Sequence, residues 1–424
     1  MKKCVFCTVL VIKFLTLSFS QTFAQADTVQ RFEPGRANEV SQQDKPYLIL
    51  ISADGFRYDY ADKFDSHNLK RLREQGVYAS QMAPSFPSLT FPNHYSIVTG
   101  MRPATHGLVG NSFYDKKIDE VYSLGRRSAV ENAAWYGGVP IWTLAEQQGM
   151  LSASFYWVGS EAPIQGVRPS YYYLYNEKIP IDTRIRTVID WLELPEVERP
   201  HLITFYLPEV DHAGHSYGPE SDEVRRSVHF VDSVIGVLDR EVSKLNLPVN
   251  FIFVSDHGML QVNQDEPIKL PAAVDTADFR VVSSGSLVNL YAKDKSATKA
   301  AYRALKGADP RYKVYLKSKL PRHLHYSAGD DRYDRIGDIV MIAEAPYVFQ
   351  FSDRRPIPGY HGYDAKAAKE MMATFIAWGP QIRRGKKLKS FDNVHLYPVM
   401  AALLGLEFNH TIDGRTKLIK RVLE

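Results

Sequence analysis

The chain has 424 residues, 45% of them hydrophobic and 24% charged, with Lys plus Arg at 52 and Asp plus Glu at 48. That composition excludes a disordered or fibrous protein, and the length suits one large domain or two ordinary ones. A formal charge of only +4 gives no general electrostatic reason to grip a nucleic acid backbone, so no duplex binding is expected.

Residues 1–26 read as a secretory signal peptide. Lys2 and Lys3 form a basic start, Cys4 to Phe19 is apolar apart from Lys13 and small hydroxyls, and Ala24-Gln25-Ala26 is a small-residue cleavage pattern. The apolar run is short for the ~20 residues of a membrane span, so no transmembrane anchor is expected after cleavage. The destination is then the periplasm or the medium. Cleavage takes away Lys2, Lys3 and Lys13 and leaves 398 residues with a formal charge of +1. Both cysteines, Cys4 and Cys7, go with it. The mature chain can hold no disulfide and no thiolate-bound metal, and it cannot be a cysteine enzyme. It must be stabilised by a core, for which its size is sufficient, and by any bound metal.

Residues 27–45 are polar without periodicity and read as a lead-in. From 46 to 424 there is no repeat, low-complexity tract or clear linker, so a single catalytic domain is expected. Tyr47 to Ile51 is a continuous apolar run of the kind found in a strand buried on both faces. His67 to Gln75 reads as a helix ended by Gly76. Leu202 to Leu207, Val249 to Val254 and Ala373 to Ala377 are further buried-strand runs. Between them Val224, Val228, Val231, Ile235, Leu238, Val242 and Leu245 recur in steps of four and three, one apolar helical stripe. Strands alternating with helices predict an α/β fold, a mostly parallel central sheet flanked by helices. Residues of about 262–355 lose that rhythm and read as a smaller inserted subregion.

Three buried runs lead straight into chemistry. The first is followed by Ser52-Ala53-Asp54-Gly55, the second by Pro208-Glu209-Val210-Asp211-His212-Ala213-Gly214-His215, and the third by Ser255-Asp256-His257-Gly258. Ligands of open α/β sheets bind outside the carboxyl ends of the strands. His361, in Gly359-Tyr360-His361-Gly362, is flanked by glycines that permit close backbone approach. Asp and His together favour Zn²⁺ or a neighbouring transition metal over the all-oxygen shells of Ca²⁺ or Mg²⁺. Six candidate ligands, Asp54, Asp211, His215, Asp256, His257 and His361, are too many for one tetrahedral ion and suit two. A nucleophile is available in Pro84 to His94. Pro92 fits the first turn of a helix, which puts Thr90 at an N-terminus where amides and the dipole favour an anion. By position alone Thr90 is equally an N-cap, and Ser85 and Ser88 remain rival nucleophiles.

Thr90-Phe91-Pro92-Asn93-His94-Tyr95-Ser96-Ile97-Val98-Thr99-Gly100 and His106-Gly107-Leu108-Val109-Gly110-Asn111 resemble the nucleotide pyrophosphatase/phosphodiesterase family of the alkaline phosphatase superfamily. So do Asp211-x-x-x-His215-Ser216-Tyr217-Gly218-Pro219, Ser255 to Met259 and His361-Gly362-Tyr363-Asp364, in the family's order. The resemblance spans roughly 46–410. It implies an alkaline phosphatase-like fold and two Zn²⁺ per chain. Asp211, His215 and His361 would hold one ion; Asp54, Asp256 and His257 would hold the other, with Thr90 as its oxygen ligand. Thr90 would be the nucleophile, forming a phosphothreonine, and Asn111 would donate to a non-bridging phosphate oxygen. With two Zn²⁺, three carboxylates and an alkoxide the site is neutral, which suits a singly charged diester. A monoester dianion calls for an extra cation such as Arg, and no motif supplies one.

The resemblance also implies that Phe91 and Tyr175 sandwich a nucleobase, with Leu124, Trp157, Tyr206 and the polar Glu161 on pocket positions. Tyr171, Tyr172 and Tyr173 read as core packing. Some nucleotide-cleaving relatives carry a Lys shortly before a Trp-Tyr-x-Gly motif. Here Ala129-Val130-Glu131-Asn132 precedes Trp135-Tyr136-Gly137-Gly138 without one, which implies low base selectivity. The expected activity is hydrolysis of nucleotide phosphodiester and phosphoanhydride bonds to nucleoside 5′-monophosphates. A lysophospholipid or choline-phosphodiester hydrolase on the same scaffold is the alternative, left open by Glu161, and phosphomonoester hydrolysis is a third reading. Oligomeric state has no signature in the sequence.

Overall fold

Three of the buried runs are adjacent parallel strands. In the structure, a computed structural model that describes residues 27–424, Tyr47–Ala53 lies between Leu202–Leu207 and Val249–Val254 and is parallel to both. The signal peptide read at residues 1–26 lies outside the described residues. Along the Tyr47–Ala53 strand, Leu48 and Leu50 enter one hydrophobic core while Tyr47, Ile49 and Ile51 enter another. The run is apolar throughout because both faces of the sheet are covered.

Among the described residues the sheet has nine strands, in the order Arg31–Phe32, Tyr171–Tyr172, Ser152–Phe155, Leu202–Leu207, Tyr47–Ala53, Val249–Val254, Phe375–Trp378, Val77–Ala79 and Lys386–Leu388. It is mixed. Phe375–Trp378 runs antiparallel to Val249–Val254 and to Val77–Ala79, whereas the block from Tyr171–Tyr172 to Val249–Val254 is parallel. The lead-in is also tied down, since Arg31–Phe32 closes one edge by pairing antiparallel with Tyr171–Tyr172.

The apolar stripe forms the helix Asp222–Ser243. It starts at Ser221, whose Oγ accepts the Val224 N–H at 3.2 Å, and it stops two residues short of Leu245. Midway along it, Asp232 accepts the amide hydrogens of Asn68 and Leu69. It thereby satisfies donors that the helix His67–Gln75 leaves open at its start. Within the stretch that loses the α/β rhythm, Phe279–Ser283, Leu287–Ala292, Ile339–Ala343 and Tyr312–Leu316 form a separate antiparallel sheet beside the helix Lys295–Leu305. It has its own buried apolar cluster. Among the described residues, no helix is long and apolar enough to cross a membrane.

Register positions the site. Ser52 pairs with Tyr206 on one side and Val254 on the other, so the three strands end level and release Asp54, Asp211 and Asp256 along one rim.

Candidate active site with two metal-ligating clusters

The six Asp and His residues converge in two groups. Asp211, His215 and His361 bring one ligand atom each to within 4.8 Å of one another, and so do Asp54, Asp256 and His257. Asp211 and His215 share one face of the helix Glu209–Tyr217, as an i, i+4 pair must. Gly55 admits this helix: its φ is +68°, and a Cβ there would stand 3.0 Å from the Asp211 Cα. Gly359 admits His361 in the same way, since a Cβ would fall 2.1 Å from the Gly214 carbonyl oxygen. The two groups adjoin, because the His257 and His361 rings stack with centroids 3.6 Å apart.

All three imidazoles present Nε2 inward. Nδ1 lies 2.8 Å from the Gly359 carbonyl in His215, 3.0 Å from that of Ser88 in His361, and 2.8 Å from that of Gly258 in His257. A carbonyl only accepts, so each Nδ1 carries a hydrogen, and the neutral form of each ring has its lone pair on Nε2. Asp54 Oδ1 and Asp211 Oδ1 are buried without a hydrogen-bond partner, and Asp256 Oδ2 faces His257 Nε2 at 2.9 Å. Burial and the charges of Asp256 and Asp211 hold the Asp54 carboxyl well above the usual carboxylate range. Inward lone pairs and orphaned buried oxygens repel one another unless cations lie between them. The donor set therefore fits two divalent cations, and its Asp/His mixture fits zinc or a neighbouring transition metal.

Thr90 opens the helix Thr90–Thr99 as its first residue, with Leu89 as the cap. Its Oγ1 is 3.2 Å from His257 Nε2. Ser85 and Ser88 are buried and turned elsewhere, donating to Asn393 Oδ1 and to the Tyr363 carbonyl. Of the three hydroxyls only Thr90 lines the cleft above the clusters. Asn111 Oδ1 accepts the Phe91 amide hydrogen at 2.9 Å. That contact fixes the orientation of its amide and leaves the Nδ2 hydrogens for an acceptor in the cleft. His94, four residues after Thr90, escaped the sequence reading. Its Nδ1 is 3.0 Å from the Thr90 carbonyl and 3.4 Å from Asp256 Oδ2, while Ser52 Oγ meets Nε2 at 2.8 Å. The one-turn spacing from Thr90 was the available signal.

The cleft measures about 480 Å³, and Phe91, Leu124, Trp157, Glu161, Tyr175 and Tyr206 all line it. They do so differently. Tyr175 is 40% exposed and Leu124 43%. Trp157 is buried with its indole N–H donated to the His94 carbonyl, and Tyr206 donates its hydroxyl to Asp54 Oδ2 at 2.6 Å. Glu161 is buried, and its Oε1 accepts the Tyr175 amide hydrogen at 2.7 Å. Tyr172 and Tyr173 are buried and Tyr171 is half-buried, stacked on Trp191. The cleft also holds a guanidinium that no motif announced. Arg127 lines it, but its charge is answered by Glu131 at 2.6 Å and Glu161 at 3.6 Å.

Residues 48–364 match the family described as type I phosphodiesterase / nucleotide pyrophosphatase. The chain is 36% identical over 379 residues to human ectonucleotide pyrophosphatase/phosphodiesterase family member 1, covering 86% of this chain and 40% of that protein. It is 35% identical over 381 residues to the venom phosphodiesterase of Naja atra, covering 86% and 45%. The chain thus spans under half the length of these curated relatives. The solved structure of murine ectonucleotide pyrophosphatase/phosphodiesterase 5, an inactive form in complex with AMP, superposes with a TM-score of 0.83 at 29% identity, covering 90% of this chain and all of that one. On the alkaline phosphatase-like α/β fold, with that match across most of its length, the chain belongs to the type I phosphodiesterase / nucleotide pyrophosphatase family.

Proposed function

We propose that the protein is an exported two-zinc phosphodiesterase that cleaves nucleotide phosphodiester and phosphoanhydride bonds and releases nucleoside 5′-monophosphates. The observation that carries this reading is the position of Thr90 Oγ1, 3.2 Å from His257 Nε2, on the floor of a cleft walled by Phe91 and Tyr175. Asp211, His215 and His361 would hold one ion and Asp54, Asp256, His257 and Thr90 the other. The ions supply positive charge that lowers the pKa of a hydroxyl and screens the phosphate.

Thr90 Oγ1 attacks phosphorus in line, the leaving oxygen departs from the opposite side, and the bond formed is a phosphothreonine ester. Water then opens that ester, returning the Thr90 hydroxyl and freeing the monophosphate. Through the Asn111 side chain, whose oxygen is already occupied by the Phe91 amide, the site donates to a non-bridging oxygen as charge builds on it. Phe91 and Tyr175 flank the base, for which stacking contributes ~1–3 kcal/mol. The pairing of the half-exposed Arg127 with Glu131 and Glu161 favours a diester over a monoester dianion, since a phosphate dianion would have to compete with both carboxylates for it. Glu161 already accepts the Tyr175 amide on Oε1 and lies 3.6 Å from Arg127, which favours a structural role for it over an acid in a choline cage. Residues 46–424 would act as one catalytic domain, in the periplasm or the medium according to the signal pattern of residues 1–26.

The test compares the 4-nitrophenyl esters of thymidine 5′-monophosphate and of phosphocholine with 4-nitrophenyl phosphate. The nucleotide ester is expected to have the highest kcat/KM. Faster turnover of the phosphocholine ester would select the lipid-headgroup reading, and faster turnover of the simple aryl phosphate would select the monoesterase.

A further inference from the structure

A buried arginine outside the cleft holds the loop that carries Asn111. Arg335 comes from the polar stretch Asp330-Asp331-Arg332-Tyr333-Asp334-Arg335, which precedes the strand Ile339–Ala343 of the smaller sheet. Its side chain is only 2% exposed. Nε donates to Asp115 Oδ2 at 2.7 Å. Nη1 donates to the carbonyls of Gly107 at 3.1 Å and Trp135 at 2.7 Å, and Nη2 to that of Ala134 at 3.1 Å. Four of the five guanidinium hydrogens are thus used in one fixed fork. Phe113, Trp135 and Tyr333 surround it with ring centroids 4.8 to 5.4 Å from its central carbon.

The partners bracket Asn111. Gly107 lies four residues before it and Asp115 four residues after. Asn111 itself accepts the Leu124 amide hydrogen on its carbonyl at 3.0 Å, closing the antiparallel hairpin of Ser112–Asp115 and Glu120–Ser123 that follows it. The Arg335 backbone adds a second tie. Its carbonyl accepts the Tyr291 hydroxyl, whose oxygen in turn takes the Tyr114 amide hydrogen. Room for this arm is left by two glycines, one in the loop and one beyond it: a Cβ on Gly107 would stand 2.6 Å from Arg335 Nη1, and one on Gly137 would overlap the Tyr333 hydroxyl at 2.1 Å. A charge taken out of water at this depth needs a full set of partners; two of them, Gly107 and Asp115, flank Asn111, and the other two anchor the guanidinium to the segment of Ala134 and Trp135.

We propose that Arg335 is a positioning residue for phosphodiester cleavage: delivered by the smaller sheet, it fixes the 107–115 loop so that Asn111 meets the phosphate. This rests on the reading of Asn111 as the phosphate donor. Lysine keeps the charge but cannot span Asp115 and three carbonyls, so Arg335→Lys lets the loop shift while the two clusters and the Tyr175 wall, which it does not touch, stay in place. A displacement on the order of 1 Å can cost about a hundredfold in rate.

The experiment is a kinetic cycle on the full protein with the nitrophenyl ester of thymidine 5′-monophosphate, using wild type, Arg335→Lys, Asn111→Ala and the double variant. Arg335→Lys is expected to lower kcat by about 10- to 100-fold with KM changed less than about threefold. In the Asn111→Ala background it should change kcat less than about twofold. Asp115→Asn, which keeps an oxygen for the Lys117 and Ile118 amides, is the second variant should Arg335→Lys not fold, and the same non-additivity is expected. Equal losses in both backgrounds would overturn the inference and leave Arg335 a purely structural group. Full activity of Asn111→Ala would instead remove Asn111 from the reaction, and the inference with it.

Discussion

His215 and His361 bring their Nε2 atoms to 3.1 Å of each other, and neither nitrogen carries the hydrogen. Two lone pairs at that distance repel, and Asp211 Oδ1, 3.7 Å from His361 Nε2, is buried without a partner of its own. The arrangement is stable only with positive charge among the three atoms. Elemental analysis of the purified protein is therefore expected to find about two zinc or similar ions per chain. A site filled at a hundred times its Kd stabilises the fold by about 2.7 kcal/mol, so a strong chelator should lower Tm by several degrees and zinc should restore it. An unchanged Tm in a protein free of metal would contradict the assignment of these clusters.

Thr90 can be tested apart from the metals. Its hydroxyl approaches His257, but neither cluster depends on it for its three residues. Thr90→Ala is expected to lower kcat at least a thousandfold (on the order of the loss of any covalent nucleophile) while metal content stays at about two. Thr90→Ser keeps an oxygen on a less restrained side chain and should retain measurable turnover. Retention of full activity by Thr90→Ala would return the role to water.

Much of this site was legible because it is written at strand ends. A run such as Tyr47 to Ile51 has to be apolar at every position when two cores cover it, and Asp54 follows at once. Direction was not legible, since the apolar run at Phe375–Trp378 reads alike in either sense and its antiparallel pairing depends on a long connection. The edge strand Arg31–Phe32 was invisible because both residues are exposed and two residues carry no period. Arg335 and Arg127 were missed for a related reason. A charged residue in a polar stretch looks solvated until the acceptors around it, separated by some 200 residues in the case of Trp135, are brought together.

The walls of the cleft should separate binding from chemistry. Tyr175 and Phe91 line it without contacting the ligand clusters through a hydrogen-bonding side chain, so truncation ought to weaken substrate binding more than turnover. With ~1–3 kcal/mol per stacked base, Tyr175→Ala is expected to raise KM for a nucleotide ester by roughly 5- to 150-fold and leave the phosphocholine ester unaffected. Glu161→Gln should produce a smaller effect of the same kind, because its Oε1 positions the Tyr175 amide. Equal losses on both esters would show that these residues serve the fold and not the base.

His106 gives the fold a pH dependence independent of the metals. It is buried beneath the helix that carries Thr90, and burial pushes its pKa down to about 3. The Leu108 amide hydrogen points at Nδ1 at 3.2 Å, so Nδ1 must be an acceptor, and Nε2 donates to the Pro92 carbonyl at 3.1 Å. A second ring proton would face the Leu108 N–H. The unfolded chain takes up that proton near the ordinary value of about 6.5, while the folded chain refuses it until about 3. Protons bound on unfolding make stability fall as pH drops, here by about 1.4 kcal/mol per unit once below 6.5. His106→Gln can keep both hydrogen bonds without the titration. Its unfolding free energy between pH 6.5 and 4.5, measured by denaturant titration in excess zinc, should therefore decline less steeply than that of wild type. Any loss of metal at low pH is common to both proteins and cancels in the comparison. Parallel curves would mean that His106 is protonated in the folded state and that its cage opens to admit the charge.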